Sequence, residues 1–228
     1  MDTPAAPRFG AVLTAMVTPF DDDGRLDLDA TANLARWLVD HGSDGLVIAG
    51  TTGESPTITV DEQIKLFGAV RAAVDCPVIA GAGSNDTAAA STMHRAASEA
   101  GVDAILSVTP YYNRPSQDGL YEHFKAAAGH TDLPVMLYDI PIRTGRKIET
   151  TTMLRLFDDV PNIVAVKDAA GDPAETARLV AEAGDRVEVY SGDDGMTLPL
   201  LAVGAVGVVS VASHWVGPEM SAMVAAFR

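Results

Sequence analysis

The chain is short of several residue types, and each shortage closes a class of function. Cys76 is the single cysteine in 228 residues. That excludes an intramolecular disulfide and any cysteine-built zinc site, and it fits a reducing, cytoplasmic setting. Basic residues are scarce: 16 Lys and Arg stand against 31 Asp and Glu, for a formal net charge of −15. No basic run is longer than Arg146-Lys147, so the clustered cations that hold a nucleic-acid backbone are missing. The histidines His41, His94, His123, His130 and His214 are dispersed, with neither a His-x-His pair nor an HExxH motif, and no metal site is expected. Met1-Asp2-Thr3-Pro4 is acidic where a secretory leader would be basic, and no export signal is read there. Residues 195–218 carry no formal charge and are long enough on paper to span a bilayer. Pro199, Gly204, Gly207, Ser210, Ser213 and His214 interrupt them, so the stretch reads as a buried helix followed by a buried strand, with no membrane partner.

What is present is apolar material in a regular order. Hydrophobic types make up 47% of the chain and charged types 21%, enough to bury one large core, so residues 1–228 read as a single domain. Short aliphatic runs at 11–17, 45–49, 77–80, 104–108, 134–138, 163–166, 187–190 and 207–211 alternate with stretches of helical periodicity. The runs are apolar on both faces, as strands of a buried parallel sheet are. Helical spacing is clearest at 27–40 (Leu34, Trp37, Leu38), 60–74 (Ile64, Phe67, Val70) and 116–128 (Leu120, Phe124). Acidic residues or threonine open several of these stretches, and Gly42, Gly101 and Gly129 close others. Eight strand-helix units without a linker predict an α/β (β/α)8 TIM barrel. A doubly wound open sheet is the alternative. It would normally place a glycine-rich turn after the first strand, where Met16-Val17-Thr18-Pro19-Phe20 has no glycine. Gly81-Ala82-Gly83-Ser84-Asn85 reads as a tight turn where backbones crowd, and Trp37, Met93 and Met136 read as core.

In such a barrel the chemistry sits at the carboxyl ends of the strands. Of the four lysines only Lys167 continues a strand, in Ile163-Val164-Ala165-Val166-Lys167. A lysine there projects toward the barrel axis, where desolvation disfavours the ammonium, and the neutral amine is the form that attacks a carbonyl. The other reading of Lys167 is an ion pair with Asp168 or Glu54. Tyr138 ends the neighbouring strand with a phenol that can relay protons, and Thr51, Thr52 and Tyr112 are hydroxyl groups able to hand them onward. Each of these, taken alone, also reads as a strand-end residue with a satisfied hydroxyl. Arg143 offers a planar fork for a carboxylate, or is an exposed loop arginine. Glu54 is read as a helix amino-terminal residue and Asp21-Asp22-Asp23-Gly24 as a solvated turn. Asp193 and Asp194 would repel a phosphate after the seventh strand.

These segments resemble the pyruvate-dependent class I aldolase superfamily, and within it the dihydrodipicolinate synthase family. The resemblance runs through Gly50-Thr51-Thr52-Gly53-Glu54-Ser55, Thr109-Pro110-Tyr111-Tyr112-Asn113-Arg114-Pro115, Tyr138-Asp139-Ile140-Pro141-Ile142-Arg143-Thr144-Gly145, Val166-Lys167-Asp168-Ala169 and Ser191-Gly192-Asp193-Asp194. It implies that Lys167 forms a Schiff base with pyruvate, whose enamine attacks aspartate-4-semialdehyde, in the diaminopimelate branch of lysine biosynthesis. It further implies a proton relay of Tyr138, Thr51 and Tyr112, with Tyr112 reaching across a subunit interface of a homodimer or homotetramer. Thr52 would hold the pyruvate carboxylate and Arg143 that of the aldehyde, while Gly192 and Val209 would line the pyruvate pocket. No metal or dissociable cofactor is called for. Sister aldolases acting on sugar-derived 2-keto acids share the lysine and the tyrosine, and a third possibility is a keto-acid sensor without turnover. Thr51-Thr52 and Arg143 favour the synthase, while Ile142 stands where the family commonly has a small residue.

The family's length implies that the chain stops within its last helix, leaving apolar surface uncovered and assembly weakened. Many bacterial members are inhibited by lysine at the dimer interface. Ser55, Asn85 and Tyr111 match that site here, but Val60, Gln63 and Ala89 replace its usual His, His and Glu. The amino acid's ammonium thereby loses its carboxylate partner. Weak or absent inhibition by lysine is expected in a steady-state assay, and potent inhibition would refute the reading.

Overall fold

The computed structural model describes residues 6–228, so the reading of Met1-Asp2-Thr3-Pro4 lies outside the described residues. Eight strands, β1 (Val12–Ala15), β2 (Gly45–Ile48), β3 (Val78–Gly81), β4 (Ala104–Val108), β5 (Val135–Asp139), β6 (Ile163–Asp168), β7 (Glu188–Ser191) and β8 (Gly207–Ser210), pair in chain order. All pairings are parallel, and β1 also pairs with β8 through Val12↔Val208, Leu13↔Val209 and Thr14↔Ser210. The sheet is therefore a closed barrel and not a doubly wound open sheet. Closure leaves no edge strand, which is why the apolar runs can be buried on both faces.

The helices are α1 (Leu28–Asp40), α2 (Val60–Ala73), α3 (Thr87–Glu99), α4 (Gln117–Ala128), the short α5 (Pro141–Thr144), α6 (Thr150–Asp159), α7 (Pro173–Ala183), α8 (Thr197–Ala202) and α9 (Ser213–Phe227). Their starts follow from the residues that open them. Asp27, Asp86, Ser116 and Asp172 accept amide hydrogens of the first turns of α1, α3, α4 and α7. Thr59 and Glu62 cap each other's amides at α2. Gly42 and Gly101 end their helices with positive φ, but Gly129 caps α4 in the right-handed region at φ −68°. The uncharged stretch 195–218 divides into α8, β8 and the kinked start of α9, where Val216 leaves helical geometry two residues before Pro218. No described helix is long and apolar enough to cross a membrane.

Side-chain alternation along the strands creates two apolar compartments. Leu13, Val47, Ile79, Leu106, Met136, Ala165, Tyr190 and Val209 fill the barrel. Leu46, Ile48, Val78, Ile105, Leu137 and Val166 face outward against Leu38, Phe67, Phe124 and Leu179 from the helices. Met93 and Met136 are core, as expected, but Trp37 is 42% exposed and stacks on His41, with ring centroids 4.1 Å apart. Leu38 and Ala35 take the inward face of α1, and the adjoining position is rotated about 100° away from it. Trp215, Val216 and Phe227 lie exposed on α9.

The crowded turn after β3 is built by glycines. A Cβ on Gly81 would lie 2.4 Å from the Ala49 carbonyl oxygen, and one on Gly83 2.4 Å from the Val108 amide nitrogen. Both obstacles are backbone, which cannot rotate away. Gly81→Ala is expected to cost about 1–3 kcal/mol through overpacking, read as a lowered Tm; a melt within about 1 °C of the parent would contradict this packing argument.

Candidate active site

Lys167 belongs to β6 itself, one residue beyond the run read from the sequence, and pairs in register with Tyr138 of β5. Both point into the barrel, and Tyr138 joins the interior cluster. Lys167 is only 6% exposed, and its ammonium nitrogen lies 4.2 Å from the centroid of the Tyr138 ring. Such a contact is worth about 2 kcal/mol when desolvated. None of the salt bridges among the described residues includes Lys167. Glu54 is exposed, and Asp168 is engaged by the Thr176 hydroxyl at 2.6 Å and the Ala170 amide at 2.9 Å. The ion-pair reading of Lys167 with either carboxylate is thus not realised. Burial brings its pKa down to about 8; the charge of Asp194 works against this and that of Arg143 adds to it. Burial also raises the Tyr138 phenol above its ordinary value, opposed by Arg143.

Gly192, after β7, leaves room for the lysine stem: a Cβ there would lie 3.1 Å from Lys167 Cγ and 2.9 Å from Ala169 Cβ. Val209 of β8 is fully buried in the same interior cluster. Thr51 and Thr52 form the turn after β2, entered through Ala49 at φ +49° and left through Glu54 at φ +57°. Two non-glycine residues in the left-handed region make this a strained turn, of order 1–3 kcal/mol each. It is held from below by the Thr18 hydroxyl, which donates to the Gly53 carbonyl at 2.7 Å. Glu54 stands at a helix amino-terminus, as read from the sequence, but the helix is a single turn of three residues and the side chain makes no cap bond, so little dipole is there to serve.

Arg143 lies in α5, whose first turn is set by Pro141 and whose end is set by Gly145 at φ +72°. With Thr51 it lines a cavity of about 370 Å³ that extends to Gln63, Ala89 and Met93. It also borders a second cavity of about 490 Å³ with Tyr112 and Arg114. Thr51 and Tyr138 share a smaller one of about 40 Å³. The barrel end thus brings Lys167, Tyr138, Thr51, Gly192 and Arg143 around one region. Tyr112 is not among them. Its side chain is 91% exposed, and its backbone is held at φ +73° by the Thr144 carbonyl, which accepts its amide at 3.4 Å. Neighbouring ties fix the same loop: Asn85 Nδ2 donates to the Tyr111 carbonyl at 3.1 Å and Asn113 Nδ2 to that of Asn85 at 2.9 Å. The tyrosine is rigidly presented outward from its own chain.

Two groups near the site have contacts that the sequence does not announce, although Asp194 is read there as a charge opposing phosphate. Asp194 Oδ2 accepts the Val211 and Ala212 amides at 3.1 and 2.9 Å, tying the β7 loop to the β8 loop, while its Oδ1 is buried without a hydrogen-bond partner. Lys147, a plain polar residue by sequence, pairs with the wholly buried Asp139. The only hint was that Asp139 directly follows Tyr138 in an otherwise apolar strand.

The model of the dihydrodipicolinate synthetase family matches residues 8–228. The 4-hydroxy-tetrahydrodipicolinate synthase of Moorella thermoacetica is 55% identical over 222 residues, which are 96% of this chain and 76% of that protein. That of Bacillus subtilis is 51% identical over 95% of this chain and 75% of its own length. Among solved structures, dihydrodipicolinate synthase from Bacillus anthracis superposes with a TM-score of 0.94 at 52% identity, over 96% of this chain and 75% of that one. The Cyanidioschyzon merolae enzyme with lysine bound gives 0.94 at 47% identity, over 96% of this chain and 75% of its own. The family model spans every strand of the barrel and the loops that surround Lys167, and the chain belongs to the dihydrodipicolinate synthetase family.

Proposed function

We infer that the protein condenses pyruvate with L-aspartate-4-semialdehyde, as 4-hydroxy-tetrahydrodipicolinate synthases do, in the diaminopimelate route to lysine. The observation that carries this reading is the buried, desolvated amine of Lys167 against the face of Tyr138. In the proposed sequence the neutral Nζ attacks C2 of pyruvate, and the carbinolamine takes up a proton and loses one water to give the protonated Schiff base. Loss of a C3 proton gives the enamine, which forms a carbon-carbon bond to the aldehyde carbon as the aldehyde oxygen takes up a proton. The substrate's own amine then displaces Nζ from C2, closing the ring and returning Lys167 to its free form. No metal or dissociable cofactor enters these steps.

Tyr138 serves as the proton carrier at C2, since it faces the lysine across the β5–β6 pair. Thr51 continues the relay toward solvent, and Tyr112 completes it in the site of a neighbouring copy within a homodimer or homotetramer. Its outward presentation on a tied loop supports this assignment. Thr52 binds the pyruvate carboxylate, Gly192 and Val209 shape the pocket around the lysine stem, and Arg143 takes the carboxylate of the aldehyde. The sugar-acid alternative has no comparable support, because the relatives named above at 51–55% identity are synthases.

Borohydride reduction in the presence of limiting pyruvate should add a stable mass at Lys167. Its rate is expected to rise with pH through about 8, as the amine sheds its proton, and to level off above that. A flat profile, or trapping at another lysine, would sink the Schiff-base assignment. For the relay, mixing Tyr112→Phe with Lys167→Ala should recover roughly a quarter of parental activity at equal subunit numbers, on the statistical pairing of halves in a two-fold dimer. Recovery no greater than the sum of the separate variants would place Tyr112 outside the partner's site.

A further inference from the structure

An aspartate directly follows each of the two residues that face one another in the barrel: Asp139 after Tyr138, and Asp168 after Lys167, in register across β5 and β6. Since side chains alternate, both carboxylates leave the strands on the outer side, away from the substrate pocket. Asp168 fastens β6 to α7 through the Thr176 hydroxyl. Asp139, 0% exposed, instead reaches forward along its own chain. Its Oδ1 accepts the Ile148 amide at 3.1 Å and its Oδ2 the Lys147 ammonium at 3.3 Å.

Those two bonds bridge the ends of the 140–147 segment, which contains α5 and Arg143. The Thr144 carbonyl in the same segment receives the Tyr112 amide, and Gly145 packs so closely on Arg114 that a Cβ would lie 2.6 Å from its Nε. One loop therefore carries the guanidinium assigned to the aldehyde and also supports the backbone beneath Tyr112. A neutral amide at position 139 could accept the Ile148 amide equally well. It could not hold an ammonium. Burying a carboxylate beside a second one is costly, so an arrangement that retains the charge has the Lys147 contact as its return.

We propose that Asp139 and Lys147 form a strut that fixes the 140–147 loop, and that they are positioning residues for the aldehyde half of the reaction but not for the pyruvate half. This rests on the roles given above to Lys167 and Arg143. The charged groups acting on Asp139 are Lys147 from its own loop and Asp168 from β6. Burial and Asp168 push the Asp139 pKa up to about 6, against Lys147 and the Ile148 amide, so the strut is intact above that pH and released below it.

Kinetics with each substrate varied, together with borohydride trapping of pyruvate, test the strut. Lys147→Met should raise the KM for aspartate semialdehyde about tenfold while the trapping rate at Lys167 stays within about twofold, and Lys147→Arg should restore most of the loss. In the parent, the aldehyde KM should climb as pH falls through about 6, and in Asp139→Asn that climb should vanish. An unchanged aldehyde KM in Lys147→Met, or an equal fall in its trapping rate, overturns the strut. Should Lys147→Met fail to fold, the Asp139→Asn profile decides, and a climb that persists overturns it as well. Absence of trapping in the parent is a separate outcome that defeats the Lys167 assignment itself.

Discussion

Closure of the barrel is the constraint on which the rest of the structure depends. Once β1 pairs with β8, every strand residue must point either into the barrel or toward the helices, with no third option and no edge to relax against. At the ends of β5 and β6 this sorting separates two kinds of chemistry one residue apart. Tyr138 and Lys167 go inward, where water is excluded and an amine loses its proton more readily. Asp139 and Asp168 go outward, where they can only act on loops and helices. A one-residue slip in either strand would turn that strand's aspartate inward and its Tyr138 or Lys167 outward, leaving a carboxylate in the pocket.

The interior placement of Lys167 carries a desolvation penalty that several fixed groups offset. The ring of Tyr138 receives the ammonium face-on, and Asp194 lends negative charge from the β7 loop while its other oxygen holds two amides of the β8 loop. The opposing charge of Arg143 keeps the balance near neutrality, so the lysine is neither locked as a cation nor fully neutral at physiological pH. Strain is concentrated at the same end of the barrel. Ala49, Glu54, Tyr112 and Arg114 all have positive φ in the loops after β2 and β4. The ties among Asn85, Tyr111, Asn113 and Thr144 over-determine the second of these loops, which lets a strained tyrosine stay presented instead of relaxing.

Much of this was legible because burial on both faces strips polar residues from a strand. The run before Lys167 is purely apolar, so a lysine at its end stands out, and the eight aliphatic runs mark the strands to within a few residues. Local rules also fixed the helix starts, since a cap and its amide lie within three residues of each other. What was not legible depends on rotation or on distance. Trp37 lies at helical spacing from Leu34 but sits one position off the buried face that Leu38 takes. Glu54 does open a helix, but that the helix is only three residues long, too short for much of a dipole, shows only in the fold. The Asp139–Lys147 pair joins residues eight apart across a turn whose path only the folded loop defines, and no periodicity announces it. The outward aim of Tyr112 likewise follows from backbone ties to two other loops.

The charge balance gives the site its last constraint. A chain of net charge −15 repels the pyruvate anion of the proposed reaction at long range and gives no net pull on the zwitterionic aldehyde. At physiological salt that repulsion fades beyond about 8 Å, so capture is decided by groups within a few ångströms of the bound carboxylates. The described residues around the barrel mouth supply few cations: Arg143 borders both cavities there, with Arg114 beside it in the outer one. A lone guanidinium on a mobile loop would spend much of its binding energy on its own ordering. In the proposed role, the same guanidinium on a loop pinned at both ends by Asp139, and braced against Tyr112 and Arg114, would meet its ligand with that ordering already done. For an acidic protein whose proposed substrates both carry carboxylates, rigidity of the few available cations would substitute for their number.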